Sequence, residues 1–156
     1  MHTNLKSLIG TLNATCRSAL EAAAGLCLTR TNYDVEVEHV LLKLVEASGS
    51  DTVCILRHCE VDVARLSTDL MGALDRLKPG DARTPALSPR LPRWFEAAWL
   101  LASIDHDAPK VRSGHLLLAL LTHDDLNRLA RMAKGETIAT VHVSGAEAGD
   151  FVYHIA

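Results

Sequence analysis

The sequence predicts an all-α fold of two repeated four-helix units, with a short helix in front of them and a β-hairpin at the C-terminus. Apolar residues recur three and four positions apart over most of the chain, which is the spacing of one helix face. Residues that cap helices precede most of these runs, and one helical pattern occurs twice. The chain has 156 residues, 48% of them apolar and 22% charged, as expected for a globular protein with a sizeable core.

The leading helix and the first long helix carry the clearest apolar faces. Residues 4–9 form a short amphipathic helix whose apolar side continues just beyond it, through Leu5, Leu8, Ile9 and Leu12. Asn13 has the right side chain to accept a free backbone N–H and begin the next helix, which runs to about Thr29. The spacings of four, three and four predict that this helix buries Cys16, Leu20, Ala23 and Cys27.

Three shorter helices complete the first repeat after a loop. One covers about 38–47 and ends before Gly49. Ser50 is positioned to cap the second, and Asp62 to cap the third. The last of these helices should bury a stripe formed by Leu66, Leu70, Leu74 and Leu77.

A proline-rich linker, residues 78–87, separates the two repeats, which we place at about 12–77 and 88–132. Ser88 and Pro89 suit the cap and first position of the next helix. Adding 75 to the four buried positions of the first long helix gives Leu91, Phe95, Ala98 and Ala102. One further residue is gained in the following loop, after which His39 matches His115. Two such halves are expected to pack as pseudo-twofold partners.

Composition excludes several classes of function. The net charge of −3 and the pI of about 6.2 give no basic footprint for nucleic acid. No apolar run is long enough to cross a bilayer, and “MHTNLKSLIG” lacks the apolar core of a signal peptide. The four cysteines, Cys16, Cys27, Cys54 and Cys59, contain no CxxC pair and are expected to be reduced core residues of a cytoplasmic protein.

Two copies of one motif carry a resemblance to a known family. “VEHVLLKLVE” and “SGHLLLALLT” each open a helix of the repeat, and together they resemble the N-terminal domain of the Hsp100/Clp unfoldases. The stretches “LIGTLNATCRSALEAAAGLC”, “ILRHCEVD” and “ALDRLKPGDARTPALSPRL” resemble its ClpV branch, the ATPases of type VI secretion, over residues 4 to about 128.

The resemblance implies a non-catalytic recognition domain. Its partner would be the N-terminal helix of a type VI secretion sheath protein, captured from the contracted sheath so that the ATPase can disassemble it. Hexamers would form only in the full-length ATPase. The sequence contains no GxxxxGK[ST] phosphate loop, so we expect neither a nucleotide, nor another cofactor, nor enzymatic activity.

The tail from residue 133 does not continue the repeat. Residues 137–143 and 150–155 alternate and are rich in β-formers, with the turn-forming “SGAEAG” between them, so they predict the hairpin. “LARMAKGE” resembles the extreme C-terminus of Hsp100 proteins. An internally deleted ClpV gene, a folded remnant without a working partner, is therefore an alternative to a recognition domain. A tail derived from cloning and an adaptor-binding domain of another Hsp100 are further alternatives.

The predicted peptide-binding groove lies beside the leading helix. A helix this short needs tertiary packing, and it can form one wall for an incoming amphipathic helix. Small residues of the first long helix leave room for the other wall, and the end of the linker can close the groove. The candidate residues are Leu5, Leu8, Ile9, Leu12, Ala19, Ala22, Ala23, Thr84, Pro85, Leu87 and Ser88. The competing interpretation is that these residues are core, and for Leu12 it is the stronger one.

Histidines and cysteines provide the remaining candidates. His39 and His115 are expected to be structural, each bonding locally at the start of its helix. Cys54 and His58 have the spacing of two metal ligands on one helix face, with Cys59 adjacent. Because no fourth ligand is evident, we expect no metal site.

Overall fold

The computed structural model describes residues 4–77, 79–80 and 85–122, and it confirms the all-α class. Among these residues no helix combines the length and apolar character needed to cross a bilayer. The predicted hairpin lies outside the described residues. In chain order the elements are α1 Leu5–Thr11, α2 Ala14–Thr29, β1 Asp34–Val35, α3 Val37–Glu46, α4 Asp51–His58, α5 Val63–Asp75, β2 Ala86–Leu87, α6 Arg90–Leu100, a π-helical turn Leu101–Asp105 and α7 Ser113–Thr122.

Helix starts follow the local chemistry of the sequence. The side chains of Asn13, Ser50 and Asp62 each accept the backbone N–H three residues later, at 2.9, 3.3 and 3.2 Å. These bonds satisfy a donor that the first helical turn leaves free, so the three predicted caps are confirmed. At α6 the prediction is one residue early, since Pro89 occupies the N-cap position. Ser88 Oγ still accepts the first N–H of α6, at 3.3 Å.

The core contains the predicted apolar stripes, except that Leu77, predicted as the last buried member of the α5 stripe, lies beyond the end of α5 and is half-buried. Helix α3 packs against α2 and α5 in the first half, and α6 packs against α7 in the second. Contacts between α4 and α7 join the two halves. Every member of the stripes of α2 and α6 is buried, namely Cys16, Leu20, Ala23, Cys27, Leu91, Phe95, Ala98 and Ala102. Burial of these side chains is the main favourable contribution to folding.

Two short backbone pairings connect the halves reciprocally. In the first, Val35 lies beside Leu87 in the parallel pair of β1 and β2. In the second, Val111 forms a parallel bridge with Leu12. Leu12 and Leu87 are 75 positions apart, so they occupy the same place in the two repeats. In both pairings the N–H of the next residue donates to the valine carbonyl at 2.9 Å. Each half thus pairs with the segment that precedes the first long helix of the other.

The sequence pattern predicts the extra residue of the second repeat in the loop, but in the structure it lies in the helix. Arg30 N–H donates to the carbonyl of Leu26 at 2.9 Å, four residues back. At the matching place His106 N–H donates to the carbonyl of Leu101 at 3.1 Å, five residues back. The matched carbonyls are 75 positions apart and the matched donors 76. The π turn therefore absorbs the insertion, which is the usual origin of such a bulge.

A polar contact fixes α4 against the start of α7. Arg112 donates from Nε and Nη2 to the two carboxylate oxygens of Asp51, both at 2.7 Å. Thr52 N–H donates to Ser113 Oγ, and the Thr52 hydroxyl donates to the Ser113 carbonyl, both at 3.1 Å. A bidentate arginine–carboxylate pair sets both distance and orientation. This contact therefore fixes the register between the halves.

Candidate peptide-binding surface

Helix α1 is held in place by the second half of the molecule. Its seven residues are too few for independent stability, and it packs against α6. At its start Asn4 Oδ1 accepts the N–H two residues on, at 2.9 Å. At its end Lys110 Nζ donates to the carbonyl of Gly10, and Val111 N–H donates to the carbonyl of Thr11, both at 2.7 Å. The C-terminal end of α1 is therefore anchored through both side-chain and backbone bonds.

The four apolar residues around α1 divide into a buried pair and an accessible pair. Leu8 is 2% exposed and Leu12 is fully buried, so both belong to the core. Leu5 is 36% exposed, and Ile9 is half-buried against the core cluster. Leu5 and Ile9 are four residues apart, on one face of the helix. Of the predicted groove residues on α1, these two are the ones that a partner reaches without disturbing the core.

The predicted wall on α2 is only partly accessible. Ala19 and Ala23 are buried, whereas Ala22 is exposed. The chief packing partner of α1 is α6. Small size suggested that the alanines leave room for a ligand, but Ala19 and Ala23 are part of the buried core.

The end of the linker lies at the pairing between the halves. Pro85 and Leu87 are half-buried, and Ser88 is buried. Leu87 pairs with Val35 in the two-stranded sheet. Thr84 lies outside the described residues. Of the candidate groove residues in the linker, Pro85 and Leu87 therefore have accessible side-chain surface.

Two exposed apolar residues of the second half are not among the candidates that the sequence provides. Leu100 on α6 is 52% exposed, and Ile104 in the π turn is 72% exposed. In the sequence, the one indication that these two residues are exposed is that they fall outside the buried stripe of the same helix. Because α1 packs on α6, the accessible apolar residues of both elements are the candidates for contact with a partner. We call Leu5, Ile9, Leu100 and Ile104 the α1–α6 surface.

The matched histidines make matched bonds. His39 Nδ1 accepts the N–H of Glu36, and His115 Nδ1 accepts the N–H of Arg112, both at 2.9 Å. Each imidazole thereby closes the first turn of its helix. The other ring nitrogens differ: His39 Nε2 bonds Asn32 Oδ1 at 3.0 Å, whereas His115 Nε2 has no hydrogen-bond partner within the described residues.

Burial keeps both imidazoles neutral. It lowers the pKa of His39 from 6.5 to about 4, with a further contribution from the positive charge of Arg30. It likewise lowers the pKa of His115 to about 4, and His106, whose ring centroid is 5.2 Å away, adds to the shift. A neutral imidazole that accepts at Nδ1 carries its proton on Nε2. Both rings thus have a single tautomer, suited to a structural role.

The cysteines do not assemble a metal site in the described part of the chain. Cys54, within α4, is exposed, and Cys59, at the end of α4, is half-buried, so the expectation that all four cysteines are core residues is wrong for these two. Residues 4–77, 79–80 and 85–122 contain no group of three histidine, cysteine or acidic side chains placed to bind a metal ion. Cys16 and Cys27 are buried, and burial raises the pKa of Cys16 to about 12, so its thiol stays protonated.

Comparison with known proteins identifies the family. The model of the Clp repeat (R) N-terminal domain matches residues 11–136, and the chain belongs to this family. It is 37% identical over 141 residues to the chaperone protein ClpB of Yersinia enterocolitica, and the match covers 89% of this chain and 16% of ClpB. It is 35% identical over 115 residues to the AAA+ ATPase ClpV1 of Pseudomonas aeruginosa, covering 74% of this chain and 13% of ClpV1. The chain thus spans less than a fifth of these relatives.

Solved structures of the ClpV N-domain share the whole fold. The N-domain of ClpV from Vibrio cholerae superposes with a TM-score of 0.79 at 30% identity, covering 96% of this chain and 92% of the other. A complex of a ClpV N-domain with a VipB peptide gives a TM-score of 0.75 at 29% identity, covering 97% and 94% of the two chains. What the comparisons match in this chain is therefore the N-terminal domain.

Proposed function

We propose that this chain is the substrate-recognition domain of a ClpV-like ATPase of type VI secretion. Its ligand is an amphipathic helix at the N-terminus of a sheath protein, bound through apolar contacts. The observation that carries the proposal is the likeness to the ClpV N-domain solved with a VipB peptide, which extends over nearly the whole of both chains. In the full ATPase, the captured sheath protein is disassembled by the ATPase rings. We place this process in the cytoplasm.

The α1–α6 surface supports helix-in-groove binding. An amphipathic helix presents apolar residues three and four apart, and Leu5 and Ile9 offer an apolar pair at the same spacing. Among the other residues selected from the sequence, Ala22, Pro85 and Leu87 have accessible surface, whereas Leu8, Leu12, Ala19, Ala23 and Ser88 are buried. Each apolar Å² removed from water contributes roughly 25 cal/mol, offset by the cost of ordering the peptide.

Replacement of Leu5 by aspartate should weaken peptide binding without unfolding the protein. Leu5 is 36% exposed, so a carboxylate there stays hydrated in the free protein but is desolvated against an apolar helix. The expected loss is roughly tenfold to a hundredfold in Kd, since about 1.4 kcal/mol corresponds to tenfold. Fluorescence anisotropy with a labelled N-terminal helix of a type VI sheath protein measures it.

The matched control is Leu28→Asp, because Leu28 is also exposed but lies near the end of α2. Circular dichroism should report the same helicity for both variants. Binding that survives Leu5→Asp, or is lost equally in Leu28→Asp, would contradict a site on the α1–α6 surface.

The protein should hydrolyse no ATP. The sequence lacks the GxxxxGK[ST] loop whose backbone N–H groups hold phosphates, and the family match is to a recognition domain. A phosphate-release assay with the purified chain should remain at the level of the buffer. Turnover that rises in proportion to protein concentration, and persists after a further purification step, would count against the assignment.

The second candidate is adaptor recognition by the N-terminal domain of another Hsp100. The relation to ClpB favours it, because ClpB is as similar in sequence as ClpV1. This function, like that of a folded remnant with no partner, predicts that a well-folded protein leaves the sheath helix unbound. The anisotropy titration therefore separates both from the main proposal.

The division into two repeats up to residue 132 and a separate tail from 133 is part of the main proposal.

A further inference from the structure

A second concave site lies in the first half, between the ends of α2 and α5. Its volume is about 390 Å³, within the range of roughly 300–1,000 Å³ that ligand pockets occupy. None of its lining residues belongs to α1 or α6, so it is distinct from the α1–α6 surface. The lining residues are Arg30, Asn32, Leu74, Asp75, Leu77 and Pro79.

Backbone pairing builds one wall of this cavity. Pro79 forms an antiparallel bridge with Asn32, and Gly80 N–H donates to the carbonyl of Thr31 at 2.7 Å. A Cβ on Gly80 would lie 2.5 Å from the Cα of Tyr33, closer than any side chain tolerates. Glycine is therefore required where the linker begins, and the wall is fixed by main-chain geometry.

The cavity contains hydrogen-bond donors that lack acceptors. Arg30 Nε is buried and has no hydrogen-bond partner among the described residues. Asn32 is 7% exposed, and its carbonyl oxygen accepts from His39 Nε2 at 3.0 Å. His39 Nδ1 accepts a backbone N–H, so Nε2 must be the donor and Asn32 Oδ1 the acceptor. The amide N–H groups of Asn32 remain, and none of the described residues accepts them. A ligand oxygen would satisfy these donors.

The carboxylate now beside Arg30 can be exchanged. Arg30 Nη2 donates to Asp75, in an ion pair whose side chains are 30% and 69% exposed. Pairs with this much exposure contribute little, about 0–1 kcal/mol, because water competes for both charges. A ligand carboxylate can therefore take the place of Asp75. Leu74, Leu77 and Pro79 also line the cavity, and since Leu74 is almost fully buried, Leu77 and Pro79 provide most of its accessible apolar surface.

We propose that this cavity binds the free C-terminal carboxylate of a peptide whose last residue is apolar. The carboxylate replaces Asp75 beside Arg30 and also accepts from the Asn32 amide, as arginine and amide donors commonly do at carboxylate sites. The apolar side chain of the last residue lies against Leu77 and Pro79. Capture of a chain end by convergent N–H donors is a known mode of peptide recognition.

The second repeat does not reproduce these donors at the matched positions. With the offset of 76, His106 stands in place of Arg30 and Ala108 in place of Asn32. Asn32 N–H donates to the carbonyl of Cys27 at 3.0 Å, and Ala108 N–H donates to the matching carbonyl of Ala102 at 2.7 Å. The π turn adds one residue to the second segment, and the side chains differ. The first repeat thus carries a binding chemistry that duplication alone does not explain.

Nuclear magnetic resonance of the full chain tests the proposal, with N-acetyl-leucine as the probe. We expect saturable shifts of the Arg30 Nε–H and Asn32 amide signals. Arg30→Gln should weaken binding at least tenfold, because the charged donor is gone. Asp75→Asn should strengthen it severalfold, because it removes the competing carboxylate. Arg17→Gln, an exposed arginine elsewhere on α2, should change nothing.

Two comparison probes make the result decisive. N-acetyl-leucinamide has the same side chain without the charge, and acetate has the charge without the side chain. Weak binding of both supports a chain end with an apolar last residue. If N-acetyl-leucinamide binds as tightly as N-acetyl-leucine, the cavity does not recognise a carboxylate. If acetate binds as tightly as N-acetyl-leucine, the cavity does not recognise an apolar side chain. Shifts that fall elsewhere, or that persist in Arg30→Gln, overturn the site itself.

Discussion

Lowering the pH from 7 to 4 should remove several kcal/mol from the free energy of unfolding, chiefly through His39 and His115. Burial depresses both pKa values from 6.5 to about 4. Between these values the unfolded chain binds two protons that the folded protein excludes, so stability falls as the pH falls. A shift of this size corresponds to about 3 kcal/mol for each imidazole. Glu38 acts in the opposite direction, because burial raises the pKa of its carboxyl. Protonation of Glu38 at low pH therefore favours the folded protein.

Asparagine substitutions separate the histidine contribution from general acid effects. In His115→Asn the side-chain oxygen takes the place of Nδ1 and still accepts the N–H of Arg112, but it does not titrate. The slope of stability against pH should then fall by about 1.4 kcal/mol per pH unit. His39→Asn should do the same, and the double variant should lose both contributions. Urea unfolding at a series of pH values measures this. If the free energy of unfolding of the double variant still fell as steeply with pH, the effect would not come from His39 and His115.

Trp94→Ala should be the most damaging single substitution in the second half. The ring is fully buried, stacks on Phe95 at 5.9 Å and donates from Nε1 to the carbonyl of Leu116 at 2.7 Å. Truncation leaves a cavity and removes the indole hydrogen bond to the Leu116 carbonyl, which together cost about 4 kcal/mol. Domains of this size are stable by only about 5–15 kcal/mol, so most of the margin would be lost.

Trp99 provides the matched control for Trp94, since it lies on the same helix but is only half-buried. Trp99→Ala should cost about 1 kcal/mol, as is typical of partly exposed positions. Chemical denaturation followed by circular dichroism compares the two variants without relying on tryptophan fluorescence. If both variants lost the same free energy of unfolding, burial of Trp94 and its bond to Leu116 would not be what stabilises the second half.

The parts of the fold that depend on local chemistry are predictable from the sequence. Asn13, Ser50 and Asp62 cap helices because of what their own side chains accept. The offset of 75 identifies the matching buried stripes, because both stripes follow from the spacing of apolar residues alone. Helical periodicity gives the face that is buried, but not the element that covers it. It therefore does not reveal that α1 packs on α6, or that Leu12 pairs with Val111.

The candidate site is predictable only in outline. The spacing around the leading helix selects four apolar residues, but burial separates Leu5 and Ile9 from Leu8 and Leu12. That division depends on how α1 is rotated against its neighbour, which is a tertiary property. Ile104 is missed because the π turn changes which residues face outward at the end of α6. The donors beside Arg30 likewise come together only through the pairing of the linker with the preceding loop.

The reciprocal pairing between the halves has a consequence for how the molecule unfolds. The segment before α2 is bonded to the second half, and the segment before α6 is bonded to the first. Neither half can unfold without breaking backbone hydrogen bonds that it makes with the other half. The duplicated chain should consequently lose its structure in one cooperative transition, and not as two modules with separate melting points. Cooperativity of this kind keeps α1 seated on α6 until the whole domain gives way.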